Sequence, residues 1–553
     1  MTTLAEAQEI VRSAMAASGV QCEVEARPFP SETIFLVLVS PEQYDAALEI
    51  SGEIDKRLNK ERFAGFVTVR KQDSGSVTAS RKALKAGVHD SRVLELQRLL
   101  ATRSRTSETT PSLQYVKDVA ANLSAIVADR HHLIFGRRGA GKTSLLVEAK
   151  RKLTASDEVT AWVNVQTLRW EGSVDRIFVW IIRSLADALA AYLRTHPEKG
   201  SLTTVLGRLS TSIDDLLSMP DLKPNDANRL IPSVQRLLAQ FSESSGKRVF
   251  LFLDDFHYLP RREQPRVLDM LHACVRDTQT WLKVAAIRNM SRWFQADPPM
   301  GLQTGHDADH LDLDVTLETP QRAKEFLETV LKSFAAHVGI PGLSGVFNPW
   351  ALDRLVLAAG GVPRDYLVVA AESIRSARTR SNAKVVGVQD VNRAAGTRAK
   401  VKIQELEEDA AAAESAARAL DSLQIIRGFC IEEQQCTFFR VDFKDKERHI
   451  AEYELLSELL DGRLVHLINP SVSDKHRAGE RSEAMMLDLS QFSGQRLRKK
   501  LQVLDLRNGQ LVLRQTGHRG IDKIGDTPKK LVDLMRVGPQ FELDRLSEAE
   551  CAK

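Results

Sequence analysis

The sequence predicts an α/β protein built on a parallel sheet, with a small α+β unit ahead of it and helical and mixed regions behind it. Three observations carry this. Between residues 113 and 300, short apolar strands alternate with helical periodicity, as in a parallel sheet covered on both faces. Residues 320 to 396 keep helical spacing throughout. Before residue 72 and after residue 425, helices and strands mix on a smaller scale.

In chain order, Leu4, Ile10, Val11 and Met15 share one helical face over residues 3–18. Cys22–Ala26, Thr33–Val39 and Phe63–Val69 read as strands, with a helix over 41–60 between the last two. Residues 1–72 are therefore a small α+β domain. Residues 73–112 are polar and basic, with one helix near Ser91–Leu100, and read as a linker. Arg81, Lys82, Lys85, Arg92, Arg98, Arg103 and Arg105 outnumber its acids. A solvated linker is the plain reading and a phosphate contact the sharper one.

The core spans 113–318, with strands at His132–Phe135, Thr160–Val165, Val249–Asp254 and Leu282–Ile287. Residues 196–227 read as an irregular insert. The helical region covers 319–397, a connecting helix 398–424 (Ala-rich from Ala399 to Leu420), a mixed domain 425–520 and a tail 521–553. At roughly 100–200 residues per domain, 553 residues accommodate three or four domains.

Composition is ordinary for a globular protein, 43% apolar and 27% charged, with net charge +4. That charge is too small to imply nucleic acid by itself. The five cysteines, at 22, 274, 430, 436 and 551, have neither zinc-ligand nor redox-motif spacing, so a reduced, cytoplasmic protein is expected. The N-terminus lacks a basic start and an apolar signal core, and the longest apolar runs are strand-sized, so no membrane anchor is expected.

The chemistry begins at Gly136-Arg137-Arg138-Gly139-Ala140-Gly141-Lys142-Thr143, followed by Ser144. This fits the G-x-x-x-x-G-K-[ST] phosphate loop in full. It follows an apolar strand and opens a helix with Leu145, Leu146 and Ala149 on one face, which is the context the motif requires. The glycines let backbone N–H groups turn toward phosphates, and the helix N-terminus adds positive potential. Lys142 is expected to reach the β- and γ-phosphates of ATP, and the Thr143 hydroxyl to ligate Mg²⁺.

Val249–Leu253 followed by Asp254-Asp255 supplies the carboxylates at the C-terminal end of a buried strand, where ligands gather in open α/β sheets. Asp254 is the expected Mg²⁺ partner, through water, and Asp255 the group that orients or deprotonates the attacking water. The strand at Leu282–Ile287 ends in Arg288-Asn289. Either Asn289 holds the lytic water or Arg288 touches the phosphate, and the sequence leaves both open.

This order of parts, followed by Gly360-Gly361-Val362-Pro363-Arg364 in the helical region, resembles the AAA+ ATPases. The likeness is to their replication-initiator (ORC-type) branch and to the related STAND signalling ATPases, and it covers roughly residues 100–520. It implies a P-loop ATPase core with a helical lid and a C-terminal winged-helix-like domain. It also implies that Arg364, at the Gly-x-Pro-Arg position, senses the γ-phosphate. Many members carry Glu where Asp255 stands, which implies slow turnover. Arg292 and Arg276 are candidates for an arginine finger.

In the same resemblance, Ile450–Leu460 is a helix of a winged helix, Arg463–Asn469 and Ala484–Leu489 are its strands, and residues 470–481 are the wing. Lys475, Arg477 and Arg481 would then meet duplex DNA phosphates, with Arg496, Arg498, Lys499 and Lys500 adding charge. STAND proteins use such domains for packing alone, so DNA contact stays open. Two functions follow: an ATP-dependent switch that assembles or changes its DNA or partner binding, or a signalling scaffold of a bacterial defence system without direct DNA contact. A homo-oligomer or a separate effector protein would be the partner.

Overall fold

Two units share the chain, one inserted within the other. Residues 117–314 form one, and residues 1–116 together with 315–553 form the other in the computed structural model. The structure describes all residues except 1–2, 29–32, 41, 62, 72–83, 85–86, 110–114, 117–121, 197–199, 410–412, 474–478, 494–500, 516–534, 537 and 548–553.

The inserted unit is a five-stranded sheet in the order Ala308–Asp312, His131–Phe135, Thr280–Ala286, Val249–Asp254, Val159–Asn164. Every neighbouring pair is parallel. All six residues of Val249–Asp254 are buried. Both faces of a central parallel strand are covered, so its sequence runs apolar without alternation. The fifth strand, Ala308–Asp312, was not expected. It is a half-exposed edge of alternating burial whose Asp309, His310 and Asp312 hide the apolar signal.

Residues 200–218 correct the reading of an irregular insert: they form a helix, followed by a short one at Pro224–Asn228. Leu202, Leu206, Leu209 and Ile213 are buried at helical spacing in the same apolar cluster as Ile181, Ile182 and Leu185 of the helix Val174–Thr195. Four such side chains contribute about 1.5–3 kcal/mol each when fully buried, enough to override a Ser- and Thr-rich composition.

In the other unit, the N-terminal sheet has the order Cys22–Pro28, Thr33–Val39, Gly65–Lys71, antiparallel then parallel. Helices Leu4–Ala17 and Tyr44–Lys60 bury Val11, Met15, Ile54 and Leu58 in its core. The helix Ser91–Thr102 is more than a linker element. Its Val93, Leu96, Leu99 and Leu100 are buried in the large core of the helical region. Its basic residues are also engaged. Arg92, with Arg27 and Arg70, donates to the carbonyls of Gly339, His337 and Val338, closing the C-terminal end of the helix Pro320–His337. Arg98 donates to the Tyr44 hydroxyl. Arg81, Lys82 and Lys85 lie outside the described residues.

The helical region contains Pro320–His337, Pro349–Ala359 and Pro363–Arg378, each opened by proline, and then Val388–Asp409. The stretch expected as a connecting helix is helical on both sides of residues 410–412, in Val388–Asp409 and Ala413–Gly428. Lys402 and Glu405 of the first are buried, so that helix belongs to the packed body.

After Ala413–Gly428 come a strand Phe438–Asp442, helices Phe443–Arg448 and Ile450–Asp461, and strands Val465–Ser473 and Arg481–Leu487. The strands form an antiparallel sheet with Arg481–Leu487 in the middle. A hairpin, Gln502–Arg507 and Gln510–Gln515, turns on Asn508-Gly509, both at positive φ. The expected tail contributes to the core as well. Phe541, Leu543 and Leu546 are buried, and residues 539–541 exchange backbone hydrogen bonds with Arg440.

Candidate nucleotide-binding site

The loop between the strand His131–Phe135 and the helix Lys142–Ala155 curls through Gly139 at φ +84° and Gly141 at φ +105°. Only glycine holds such values at low cost. Gly141 is the helix N-cap, so the free N–H groups of the first turn open onto the loop. Lys142 is buried, and its ammonium donates to the carbonyls of Gly136 (2.6 Å) and Arg137 (3.2 Å). Arg137 is turned away, its backbone N–H and Nε both on Asp314. Arg138 donates to the Tyr258 hydroxyl at 2.6 Å. Ala140 and Ser144 flank the turn, both partly buried.

The strand order brings the acids to this loop. The Thr143 hydroxyl donates to Asp254 Oδ2 at 2.8 Å, joining the first turn of the loop helix to the end of the acid strand. The other oxygen of Asp254 accepts from the backbone N–H of Asp255 at 3.1 Å. Burial first, and the charge of Asp255 second, push the Asp254 carboxyl well above the usual carboxylate range. Burial raises Asp255 too, while Lys142 and Arg138 pull it back. Asp255 has left-handed backbone, φ +56°, uncommon among residues other than glycine although Asp adopts it more readily than most. A hydroxyl and a carboxylate in contact beside a phosphate loop suit Mg²⁺, which takes few protein oxygens and completes its shell with phosphate and water.

The strand Thr280–Ala286 lies between the loop strand and the acid strand. Arg288 just beyond it reaches Asp312 (3.1 Å) and His310 and covers the Phe135 ring. Asn289 is exposed. Arg276 and Arg292 are exposed as well. His257, on the turn after Asp255, is a residue that sequence reasoning passed over. Its signal was its place two residues past the acid pair.

Arg364 opens the helix Pro363–Arg378 in the other unit, where it meets Glu405 at 3.4 Å. Glu405 also pairs with Arg463, and Arg463 with Asp365 at 2.6 Å. Lys402 joins the cluster through Asp365 at 3.4 Å and extends it to Asp488 at 2.9 Å. Arg463, Lys402, Asp365 and Asp488 are each about 1% exposed, so the charges are compensated within the protein. Of the expected wing residues, Arg481 is exposed at the start of its strand, while Lys475 and Arg477 lie outside the described residues, as do Arg496, Arg498, Lys499 and Lys500.

Among the described residues, no helix is long and apolar enough to cross a membrane. Among solved structures, the chain is similar to the Aeropyrum pernix ORC1 protein in complex with DNA, at 15% identity and TM-score 0.35, covering 68% of this chain and 90% of that one. It is also similar to a Thermotoga maritima RuvB variant, at 14% identity and TM-score 0.28, covering 71% and 91%. For Caenorhabditis elegans PCH-2 the values are 12% and 0.26, covering 61% and 78%. No curated protein matches. Among known families, residues 114–282 match the AAA ATPase domain, a span that holds the phosphate loop, the acid strand and the start of the strand between them. Over residues 114–282 the chain is thus similar to the P-loop ATPase domains of the AAA family.

Proposed function

We propose that the chain is an ATP-operated switch of the ORC-like kind, which binds ATP with Mg²⁺, hydrolyses it slowly and changes its assembly or partner contacts with nucleotide state. The observation that carries this reading is the 2.8 Å hydrogen bond from Thr143 to Asp254, which pairs the two expected Mg²⁺ ligands beside the loop. Bound Mg²⁺ supplies charge neutralisation at the phosphates. Lys142 faces the β- and γ-phosphates, and Asp255 accepts the proton of the attacking water. The exposure of Asn289 and the engagement of Arg288 with Asp312 favour Asn289 as the residue that holds this water. Arg364 acts as sensor from the lid.

The element order helix, strand, two helices and a two-stranded hairpin supports a winged-helix reading of residues 413–487. Its second internal helix, Ile450–Asp461, carries Glu452, Glu454, Glu458 and Asp461 and no Lys or Arg. Such a helix repels a phosphate backbone. This observation favours the second reading, a signalling scaffold whose domain meets protein and not DNA. Titration calorimetry with ATP and Mg²⁺, with Lys142→Ala as control, tests the site, and unchanged affinity in the variant overturns it. Filter binding to duplex DNA with and without ATP separates the two readings, since salt-dependent binding is expected of the DNA switch alone.

A further inference from the structure

His257 sits on the short turn Phe256–Tyr258 that follows the acid pair. Its side chain is buried, 6% exposed, and neither ring nitrogen has a hydrogen-bond partner among the described residues. Leaving a buried donor or acceptor unsatisfied costs about 1–3 kcal/mol, so such a group calls for a partner.

The charges that bear on the ring are those of Lys142 and Arg138, the cations of the phosphate loop. The same two charges bear on the Asp255 carboxylate. Arg138 holds the adjacent Tyr258 by its hydroxyl at 2.6 Å, and the His257 and Tyr258 rings lie 4.7 Å apart. The turn is thus moored to the loop that grips phosphate. Burial, with Lys142 and Arg138 nearby, keeps the imidazole neutral, so it has one N–H to donate and one nitrogen to accept with.

We propose that His257 is a positioning residue for ATP hydrolysis: when nucleotide binds, its ring N–H donates to the Asp255 carboxylate and fixes the oxygen that takes the proton from water. This inference rests on the ATPase reading above. In the step itself, water oxygen bonds to the γ-phosphorus, the bond from that phosphorus to the β–γ bridging oxygen breaks, and the water proton passes to Asp255. Inorganic phosphate and ADP leave. His257 takes no proton. It holds the acceptor in line, and a misplacement of about 1 Å at such a group costs roughly 10²-fold in rate.

The test compares His257→Phe, which fills the same space without nitrogen, with His257→Gln, which restores an N–H. ATP affinity, kcat and thermal stability are measured for both on the full chain. In the Phe variant, kcat should fall roughly 10²-fold while ATP affinity stays within about threefold and the melting temperature holds or rises, because an unsatisfied polar group has been removed. The Gln variant should recover at least about tenfold of the loss, as expected where an N–H donor is what matters. Wild-type kcat in the Phe variant, or equal kcat in Phe and Gln, overturns the inference. Should the Phe variant fail to fold, His257→Leu takes its place in the same comparison with the same overturning results. If the wild type binds no ATP or does not hydrolyse it, the ATPase reading falls first and this inference with it. A wild type that turns over beside an equally active Phe variant removes this inference alone.

Discussion

Thr143 and Asp254 are joined by a 2.8 Å hydrogen bond although 111 positions separate them in sequence. The bond measures how closely the loop helix and the acid strand approach. It also sets an expectation for Thr143→Val, which keeps the shape and removes the hydroxyl. Hydrogen bonds to charged groups contribute about 1.5–3 kcal/mol, so affinity for Mg²⁺–ATP should drop roughly 10- to 100-fold. Affinity for ATP in chelator should change far less. Calorimetry in both conditions checks this, and equal losses in the two would show that Thr143 does not serve the metal.

Asp255→Asn should retain ATP affinity and lose turnover. The amide preserves the size of the side chain but cannot accept a proton, and removing a general base typically costs roughly 10²–10⁴-fold. Phosphate release under single-turnover conditions is the measurement. Turnover at the wild-type rate would move the base elsewhere.

Arg364→Ala should make the ATP and ADP forms more alike. A ligand shifts a conformational equilibrium only through contacts that differ between the two states, and Arg364 is proposed to make one such contact. Glu405 keeps Arg463 as partner in the variant, so the buried cluster survives and the protein should fold. Limited proteolysis in each nucleotide reports the result. Patterns that still differ as in the wild type would remove Arg364 from the sensing role.

The inserted unit should weaken in mild acid through His131. Its Nδ1 accepts the backbone N–H of Leu282 at 3.0 Å, which requires the neutral ring. Burial, then the charges of His272 and Lys283, pull its pKa down to about 3. The folded value lies below the unfolded one of about 6.5, so the stability is whole above that pH and falls as pH drops toward the folded value. The slope is about 1.4 kcal/mol per pH unit for one proton. The raised Asp254 works in the opposite direction, so the comparison must isolate His131. His131→Asn keeps an acceptor and cannot titrate. Denaturant unfolding of both proteins at pH 6 and pH 5 should show the variant less steep by roughly that amount. Identical slopes would mean that the ring is not held neutral.

The phosphate loop and the acid strand were legible because their constraints are local. A fixed spacing of Gly, Lys and Thr and a run of buried apolar residues need no tertiary context. The helix Gly200–Ser218 was legible in principle, since Leu202, Leu206, Leu209 and Ile213 keep helical spacing, but Ser and Thr between them suggested a loop. The edge strand Ala308–Asp312 carries no run to read, because half of it faces outward. The roles of Arg92 and Arg98 depend on partners far away in sequence or in another element, Gly339 and Tyr44, so their charges resembled those of a solvated linker. His257 shows the same limit at the site itself: burial without a partner is a property of the folded chain.

The insertion of one unit inside the other has a consequence for synthesis on the ribosome. Val93, Leu96, Leu99 and Leu100 share a core with residues from Leu317 onward, yet roughly two hundred residues are made in between. At about 5–20 residues per second, these side chains wait roughly 10–40 seconds for their partners. The strands of the inserted unit all lie between His131 and Asp312, so it can close its own sheet during that wait. The nascent chain therefore passes through a stage in which the ATPase domain is finished while an apolar helix ahead of it is still uncovered, a stage at which chaperones or premature self-association would act.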